Sequence, residues 1–240
     1  MEKTIATDKS LPEVQDRPVI VHAVEVGSPG YLPLKRALDL LVSAVLLILL
    51  APLFLIIAVA VKLDSPGPAI FSQRRAGKDG KPFMFHKFRS MYVNSSEDLH
   101  REHVQRLIRE NLSPTEFKNG KKGTLKLEHD PRVTRVGRFL RDYSLDELPQ
   151  LANVLKGEMS LVGPRPSLPY EVEVYQPWHR QRLAVMPGCT GLWQVTARNL
   201  VAFDDMVLLD LEYMEKMSPW LDLKLILLTP WVMLKGKGAG

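Results

Sequence analysis

The chain has 240 residues, 45 % of them apolar, which is enough for one ample domain or a domain plus an anchor. Its formal net charge of +5 is mildly basic and spread along the chain. That balance suits an anionic membrane face or phosphorylated substrates and argues against a nucleic-acid-binding arm. Cys189 is the only cysteine, which excludes an intrachain disulfide and a multi-cysteine metal site and removes any need for an oxidising compartment.

Residues 1–32 are expected to be a mobile lead-in, polar with balanced charge up to Ser28-Pro29-Gly30 and without a signal-peptide pattern. Residues 33–64 form the predicted membrane element. Pro33 stands where a helix can begin, and an apolar run covers 40–61. That run is long enough to cross a bilayer, for which about 20 residues suffice. Lys35 and Arg36 precede it, and Lys62, Arg74, Arg75 and Lys78 follow, so both flanks favour the cytoplasmic side. Pro52 interrupts the run, has no N–H and leaves the carbonyl of Ile48 without its usual partner. Two readings stand on these residues: a kinked spanning helix, or a re-entrant helix that bends at Pro52 and returns.

A cytoplasmic domain is expected over 65–240. Two aromatic-rich runs, 69–75 and 82–89, flank Asp79-Gly80 and predict a β-hairpin. Residues 95–110 are dense in charge and read as a solvated helix, on which His100 and His103 lack a further metal ligand. Residues 114–126 read as a polar loop. Leu148, Leu151, Ala152 and Leu155 follow helical spacing, with Gly157 placed to end that helix. Gly163-Pro164-Arg165-Pro166 is a rigid turn. An amphipathic helix is expected over 205–217, with Met206, Leu209, Tyr213 and Met217 on one side. Residues 220–234 are apolar but too short and too polar to span. They suit either the headgroup region, with Trp220, Trp231, Lys235 and Lys237, or a C-terminal core helix. The sequence shows no internal repeat.

Ser144-Leu145-Asp146-Glu147 reads most simply as a capping box, with Ser144 as cap and Glu147 reaching back, although Pro149 favours a start nearer Asp146. Either register leaves Asp146 and Glu147 at a helix N-terminus, where free N–H groups favour anions, so a catalytic role competes with capping. Arg132, Arg135, Arg138 and Arg141 recur every third residue just before this pair, and Arg165 follows in the proline turn. Guanidinium forks bind phosphate bidentately, although a surface ladder of arginines pairing with acids is the plainer reading of these residues taken alone. The membrane run, the carboxylate pair and the arginines together point to phosphoryl chemistry at a bilayer surface. Walker, zincin and Gly-x-Ser-x-Gly motifs are missing from the sequence.

The motifs also carry a resemblance. Lys35-Arg36-x-x-Asp39, Ser65-Pro66-Gly67-Pro68, Phe71-x-Gln73-x-Arg75-x-Gly77-x-x-Gly80 and Lys87-Phe88-Arg89-Ser90-Met91 come first. Asp130-Pro131-Arg132-Val133-Thr134-Arg135-Val136-Gly137, Ser144 through Leu151, and Met159 through Pro166 follow. Pro187-Gly188-x-Thr190-Gly191 and Gln194-Val195 complete the series. In these the chain resembles the bacterial sugar transferases, the monotopic phosphoglycosyl transferases, and specifically their exopolysaccharide-initiating type. The longest members carry a multi-span N-terminal region that this sequence does not show. The resemblance implies a mixed α/β fold, monotopic in the membrane, with a Pro-kinked re-entrant helix (Pro52), a small β-hairpin and amphipathic surface helices.

It further implies transfer of a sugar 1-phosphate from a UDP-sugar to undecaprenyl phosphate at the cytoplasmic face of the inner membrane, with UMP released. Asp146 would be the nucleophile and a ligand of Mg²⁺, and Glu147 would handle the acceptor or help orient the metal. Arg141 and Arg165 would hold phosphate oxygens, and Lys87 and Arg89 would line the same substrate-binding pocket beside the membrane. Membrane lipid is an implied partner, nucleic acid is not, and a homodimer is compatible with the resemblance. A non-catalytic membrane-anchored partner of an assembly complex, or a nucleic-acid binder with a spanning anchor, are the competing classes. Two positions depart from the family pattern: Ala51 replaces Ser before the kink proline, and Thr196-Ala197-Arg198 replaces a glycine-containing loop, where Ala197 tolerates positive φ poorly. Cys189 is expected to be a packing residue.

Overall fold

The computed structural model describes residues 26–27, 30–93, 98–111, 132–197 and 201–235. Most of the expected lead-in, the side chains of His100 and His103, the loop 114–126, Asp130-Pro131, Arg198 and Lys237 lie outside them.

Helix α1 (Tyr31–Leu49) and helix α2 (Ala51–Asp64) meet at Leu50 with a bend of 62°. Leu50 leaves helical geometry at φ −89°, ψ 0°. The break therefore places Pro52 in the first turn of α2, where an N–H is not needed. The Leu50 N–H still reaches the Leu46 carbonyl at 2.9 Å, and the Leu50 carbonyl accepts from Phe54 N–H at 2.9 Å. Ala51 thus costs the bend nothing visible, because the flanking turns bond across it. No single described helix is long and apolar enough to cross a membrane; the bent pair meets that length and composition only jointly.

One side of α1 is polar and buried. Lys35, Asp39 and Ser43, four residues apart, face the domain. Lys35 pairs with Asp222, which also accepts from the hydroxyls of Tyr31 and Tyr213. Asp39 accepts the Leu161 N–H at 3.0 Å. The opposite side is bare: Ile48 and Leu49 on α1, and Leu55 and Ile56 on α2, are 64–75 % exposed.

Strands β1 (Ile70–Ala76) and β2 (Pro82–Phe88) form the expected antiparallel hairpin. Asp79 and Gly80 both take positive φ (56° and 73°), the twist that suits a tight hairpin turn. In this register Phe71, Gln73 and Arg75 oppose Lys87, Phe85 and Phe83 on one face. Phe88, on the other face, packs with Ile57, Val61 and Leu140 beneath α2.

Helix α3 (Asp98–Glu110) is not simply solvated: Leu107 and Ile108 are buried, and Gln105 donates to the Tyr170 carbonyl at 2.9 Å. The sparse apolar residues of that charged stretch fall on one stripe, which is enough to dock the helix. Helix α4 (Arg135–Asp142) follows, then α5 (Gln150–Lys156), which ends at Gly157 in left-handed geometry (φ 81°) as its position predicts. Arg36 from α1 donates to the last carbonyls of α5, those of Val154 and Leu155. Strand β3 (Ser160–Val162) pairs in parallel with β4 (Gly188–Thr190), a pairing with no counterpart in the sequence reading.

Short helices α6 (Pro169–Val172) and α7 (Leu192–Thr196) flank this pair. Helix α8 (Phe203–Lys216) buries Phe203, Val207, Leu211 and Met214 together with Tyr213 of the predicted stripe, and Met217, just past the helix, is buried as expected; Met206 and Leu209 are half-buried. Helix α9 (Pro219–Lys235) packs one side on the domain, as the core-helix reading of its segment expects, and leaves the other side exposed. Asp222 and Leu225 are buried in the domain, while Trp220, Leu227 and Trp231 are 57–75 % exposed.

Candidate active site

Helix α4 starts at Thr134, whose hydroxyl accepts the Gly137 N–H at 2.9 Å. Asp64, at the end of α2, accepts the Val136 N–H at 2.9 Å. Gly137 lies so close to the hairpin's exit that a Cβ there would stand 2.1 Å from the Ser90 carbonyl oxygen. These contacts seat α4 against α2 and the hairpin together.

The chain then turns sharply. Ser144 is left-handed (φ 52°) and makes no capping bond, Leu145–Glu147 form one 3₁₀ turn, and Pro149 stands at the N-cap of α5. The expected capping box is therefore not formed: Pro149 is tolerated by moving the helix start past it, and the Glu147 side chain turns to Arg165 instead of back to Ser144. What survives is the placement of two carboxylates just before a helix. Asp146 is 8 % exposed and Glu147 half-buried.

Three of the expected cations converge on this pair. Lys87 comes from the inner face of β2, Arg141 from the last turn of α4 and Arg165 from the Gly163–Pro166 turn. Arg165 Nη1 lies 3.3 Å from Glu147 Oε1. Burial, and next the neighbouring Glu147 charge, push the Asp146 carboxyl up to about 6, against the pull of Lys87, Arg141 and Arg165. Burial likewise brings the Lys87 ammonium down to about 8, opposed by the Asp146 charge. A nearly buried carboxylate of raised basicity, ringed by cations, is suited to attack an electrophile that itself carries negative charge.

The other expected residues are placed elsewhere. Arg89 does not enter the cleft. Its guanidinium donates to the carbonyls of Val61, Ser65 and Pro66 and so closes the C-terminal end of α2. Alternation alone would put Arg89 on the face of Lys87; Arg89 instead lies just past Phe88, the last residue of β2, where the chain leaves the ladder beside the end of α2. Arg135 and Arg138 are exposed, while Arg141, the last member of the arginine series, acts on Asp146. Pro52 stands in the first turn after the bend.

Arg75 and Arg182 form a tier behind the site to which the sequence reading assigned no role. Arg75 Nη1 donates to the Pro166 carbonyl at 3.1 Å, and Arg182 Nη2 donates to the Arg165 carbonyl at 3.4 Å. Together they hold the turn that presents Arg165. The same turn is stitched to β4 by Gly163 N–H to Thr190 O and Gly188 N–H to Pro164 O, both 2.8 Å. A Cβ on Gly188 would fall 2.1 Å from the Gly163 nitrogen, so glycine is required for that approach. The signal for Arg75 was available, since alternation places it on the same hairpin face as Lys87. Cys189 lines the narrow cleft beside Glu147 and Gln150, and burial pushes its thiol well above the ordinary range, which keeps it an inert packing group.

The donor set also bears on a metal. Among the described residues, no group of three or more His, Cys, Asp or Glu side chains gathers to hold an ion. Two adjacent carboxylates do suit Mg²⁺, which commonly takes one or two carboxylates and completes its shell with water and substrate phosphates. Asp146, kept above the usual carboxylate range by burial and by Glu147, is a group that a divalent cation would favour.

Over residues 30–236 the chain matches the family described as bacterial sugar transferase. It is 40 % identical over 236 residues to the galactosyl transferase CpsE of Streptococcus agalactiae, covering 97 % of this chain and 49 % of that protein. It is 41 % identical over 214 residues to the UDP-glucose:undecaprenyl-phosphate glucose-1-phosphate transferase of Escherichia coli, covering 86 % of this chain and 41 % of that one. The exopolysaccharide production protein ExoY of Rhizobium meliloti is 41 % identical over 195 residues, covering 81 % of this chain and 83 % of its own length. The chain thus spans less than half the length of the first two relatives.

Proposed function

The chain belongs to the bacterial sugar transferase family, and from that premise we propose that it moves a sugar 1-phosphate from a UDP-sugar to undecaprenyl phosphate, releasing UMP and starting an exopolysaccharide or related glycoconjugate. The observation that carries the reading is the buried Asp146 beside Glu147, faced by Lys87, Arg141 and Arg165. The name of one relative states both substrates of this reaction, and another is named for exopolysaccharide production.

In the proposed reaction an Asp146 oxygen attacks the β-phosphorus of the donor. The bond from that phosphorus to the bridging oxygen breaks, and UMP leaves with the electron pair. The phosphate oxygen of undecaprenyl phosphate then attacks the same phosphorus, and the Asp146 carboxylate departs unchanged. Glu147 lies beside the phosphorus and receives or orients the acceptor. Arg141, Arg165 and Lys87 hold the phosphoryl oxygens, and the charge that builds on them during transfer is met by groups already fixed in place. Mg²⁺, held by Asp146 with Glu147 next to it, would neutralise the diphosphate and assist the leaving group.

The membrane seat follows the re-entrant reading of the two left open by the sequence. Asp39 of α1 and Asp64 of α2 bond backbone N–H groups of the same globular domain, at Leu161 and Val136. A spanning helix would carry its ends to opposite sides of the bilayer, whereas both ends here return to one body. The exposed apolar residues around the bend would enter the cytoplasmic leaflet, and Trp220 and Trp231 of α9 would sit at headgroup level.

The test is UMP release by the full chain in detergent or nanodiscs with Mg²⁺, undecaprenyl phosphate and a panel of UDP-sugars. Release that requires the lipid phosphate and disappears in Asp146→Asn supports the proposal. Lipid-dependent release retained in Asp146→Asn would remove the nucleophile, and silence across the panel from folded protein would favour a non-catalytic anchored partner.

A further inference from the structure

Helix α4 carries an outward face that the site described above leaves unused. Arg135, Arg138 and Phe139 on the helix and Tyr143 at its C-cap are all exposed. The two rings lie one helical turn apart with their centroids 4.9 Å from each other and their planes tilted by 51°. Even so paired, they remain 56 % and 44 % exposed. The plainer reading of the arginine series was a ladder pairing with acids, and the structure does not build it. Among the described residues no carboxylate bonds the side chain of Arg135, Arg138 or Arg141, not even Asp142, four residues from Arg138. Uncommitted cations beside exposed aromatic rings form a surface suited to an anionic amphiphile.

Position narrows the amphiphile. At the start of α4 the Val136 N–H donates to Asp64 at the end of α2, and Leu63, next to Asp64, is 83 % exposed. At the other end Arg141 acts on Asp146, and the chain turns directly from Tyr143 into the two carboxylates. Leu145 and Leu148 of that turn, like Val136, pack on the cluster beneath α2, so α2, α4 and the turn form one body. Helix α4 therefore leads from the bent apolar pair to the nucleophile. On the reading above, the acceptor is one phosphate on an unsaturated hydrocarbon chain. Its tail lies in the leaflet beside α1 and α2, while its phosphate must reach Asp146. Arginines at every third residue offer that phosphate successive partners towards Asp146, and the aromatic pair offers apolar contact to the chain behind it. An ordinary anionic phospholipid shares the charge but has no need to reach the carboxylates.

We propose that the outward face of α4 is the docking surface of the prenyl phosphate acceptor: Arg135 and Arg138 draw its phosphate along the helix to Arg141, and Phe139 and Tyr143 hold the isoprene units nearest that phosphate. The proposal rests on the phosphoglycosyl transferase reading above. It assigns a binding role to four residues that the donor half of the reaction does not use.

The experiment titrates the full chain in detergent with undecaprenyl phosphate and, separately, with a UDP-hexose, each read as the ligand-induced shift in melting temperature. Wild type is compared with the double variants Arg135→Gln/Arg138→Gln and Phe139→Ser/Tyr143→Ser, and flotation on phosphatidylglycerol vesicles is measured for all three. The two variants alter different side chains of one exposed face, so either carries the test if the other fails to fold. The expected result is a split: each variant weakens undecaprenyl phosphate about tenfold or more, with UDP-hexose affinity and vesicle retention held within twofold. Unchanged affinity for undecaprenyl phosphate would overturn the proposal. So would a matching loss of vesicle retention, which would make the face a general contact with anionic lipid. The activity reading fails separately. Wild type that shows the split but releases no UMP from UDP-sugars with undecaprenyl phosphate and Mg²⁺ would sink the reaction and leave the docking surface standing. Wild type that binds UDP-hexose but no undecaprenyl phosphate would sink the docking surface.

Discussion

At the residue scale, two opposed pKa shifts define a working pH window. Asp146 must be ionised to attack, and its carboxyl is pushed up to about 6, so activity should rise with pH through that region. Lys87 must be charged to hold phosphate, and its ammonium is brought down to about 8, so activity should fall above it. A bell-shaped kcat/KM profile with limbs near 6 and 8 is expected, and Lys87→Arg should extend the alkaline side. The same shift has a stability consequence. A carboxyl raised from 3.8 to about 6 on folding destabilises the folded state once the pH exceeds its unfolded value, by roughly 3 kcal/mol at neutral pH. Below about pH 4 both states are protonated and the cost vanishes. Asp146→Asn should therefore melt higher than wild type at pH 7, with the gain lost at pH 4, while transfer drops on the order of 10⁴-fold or more. Thermal melts at the two pH values and a UMP assay check both halves.

At the element scale, the hairpin shows what pattern reading reaches and where it stops. Asp79-Gly80 between two aromatic runs located the turn, and period-two alternation places Lys87 and Arg75 on the site face. The same sequence gives no sign that Arg89, two residues after Lys87, passes the end of the ladder and caps α2 instead of binding phosphate. Arg89→Met is expected to take a donor from three carbonyls at the end of α2, those of Val61 and Ser65 in buried bonds and that of Pro66 in a part-buried one, and cost about 2–4 kcal/mol of stability, read as a lower Tm. Arg89→Lys should lower Tm less and leave the KM for the UDP-sugar within twofold, whereas Arg165→Ala should raise it without a matching loss of Tm. The turn at Ser144 was equally hidden. A capping box and a left-handed serine share one sequence signature, and the position of Pro149 decides between them only once α5 is seen to begin at Gln150. The β3–β4 pair is three residues on each side, too short for alternation to register.

At the scale of the whole molecule, one buried cluster joins α1 to α9. Lys35 and Tyr31 of α1, Tyr213 of α8 and Asp222 of α9 meet in a single knot. Asp222→Ala would strand a buried ammonium and should cost about 3–5 kcal/mol. The bent pair α1–α2 and the exposed indoles of α9 give the outer apolar surface. Trp231→Glu should loosen membrane retention without changing the melting of the detergent-held protein, which vesicle flotation and a melt would show together.

The organisation of bent apolar helix pair, carboxylate pair and converging cations was legible from spacing and from the family motifs. The tier behind it was not, because Arg75 and Arg182 lie far apart in sequence and come together at the turn Gly163–Pro166. The central claim is that Asp146 carries the phospho-sugar between donor and acceptor. Its most direct test is intact-mass analysis of the chain mixed with UDP-sugar and Mg²⁺ but without undecaprenyl phosphate. The account predicts an added hexose phosphate on a peptide containing Asp146, formed with one equivalent of UMP and discharged when the lipid is added. UMP release that proceeds only in the presence of lipid, with the protein mass unchanged throughout, would contradict it.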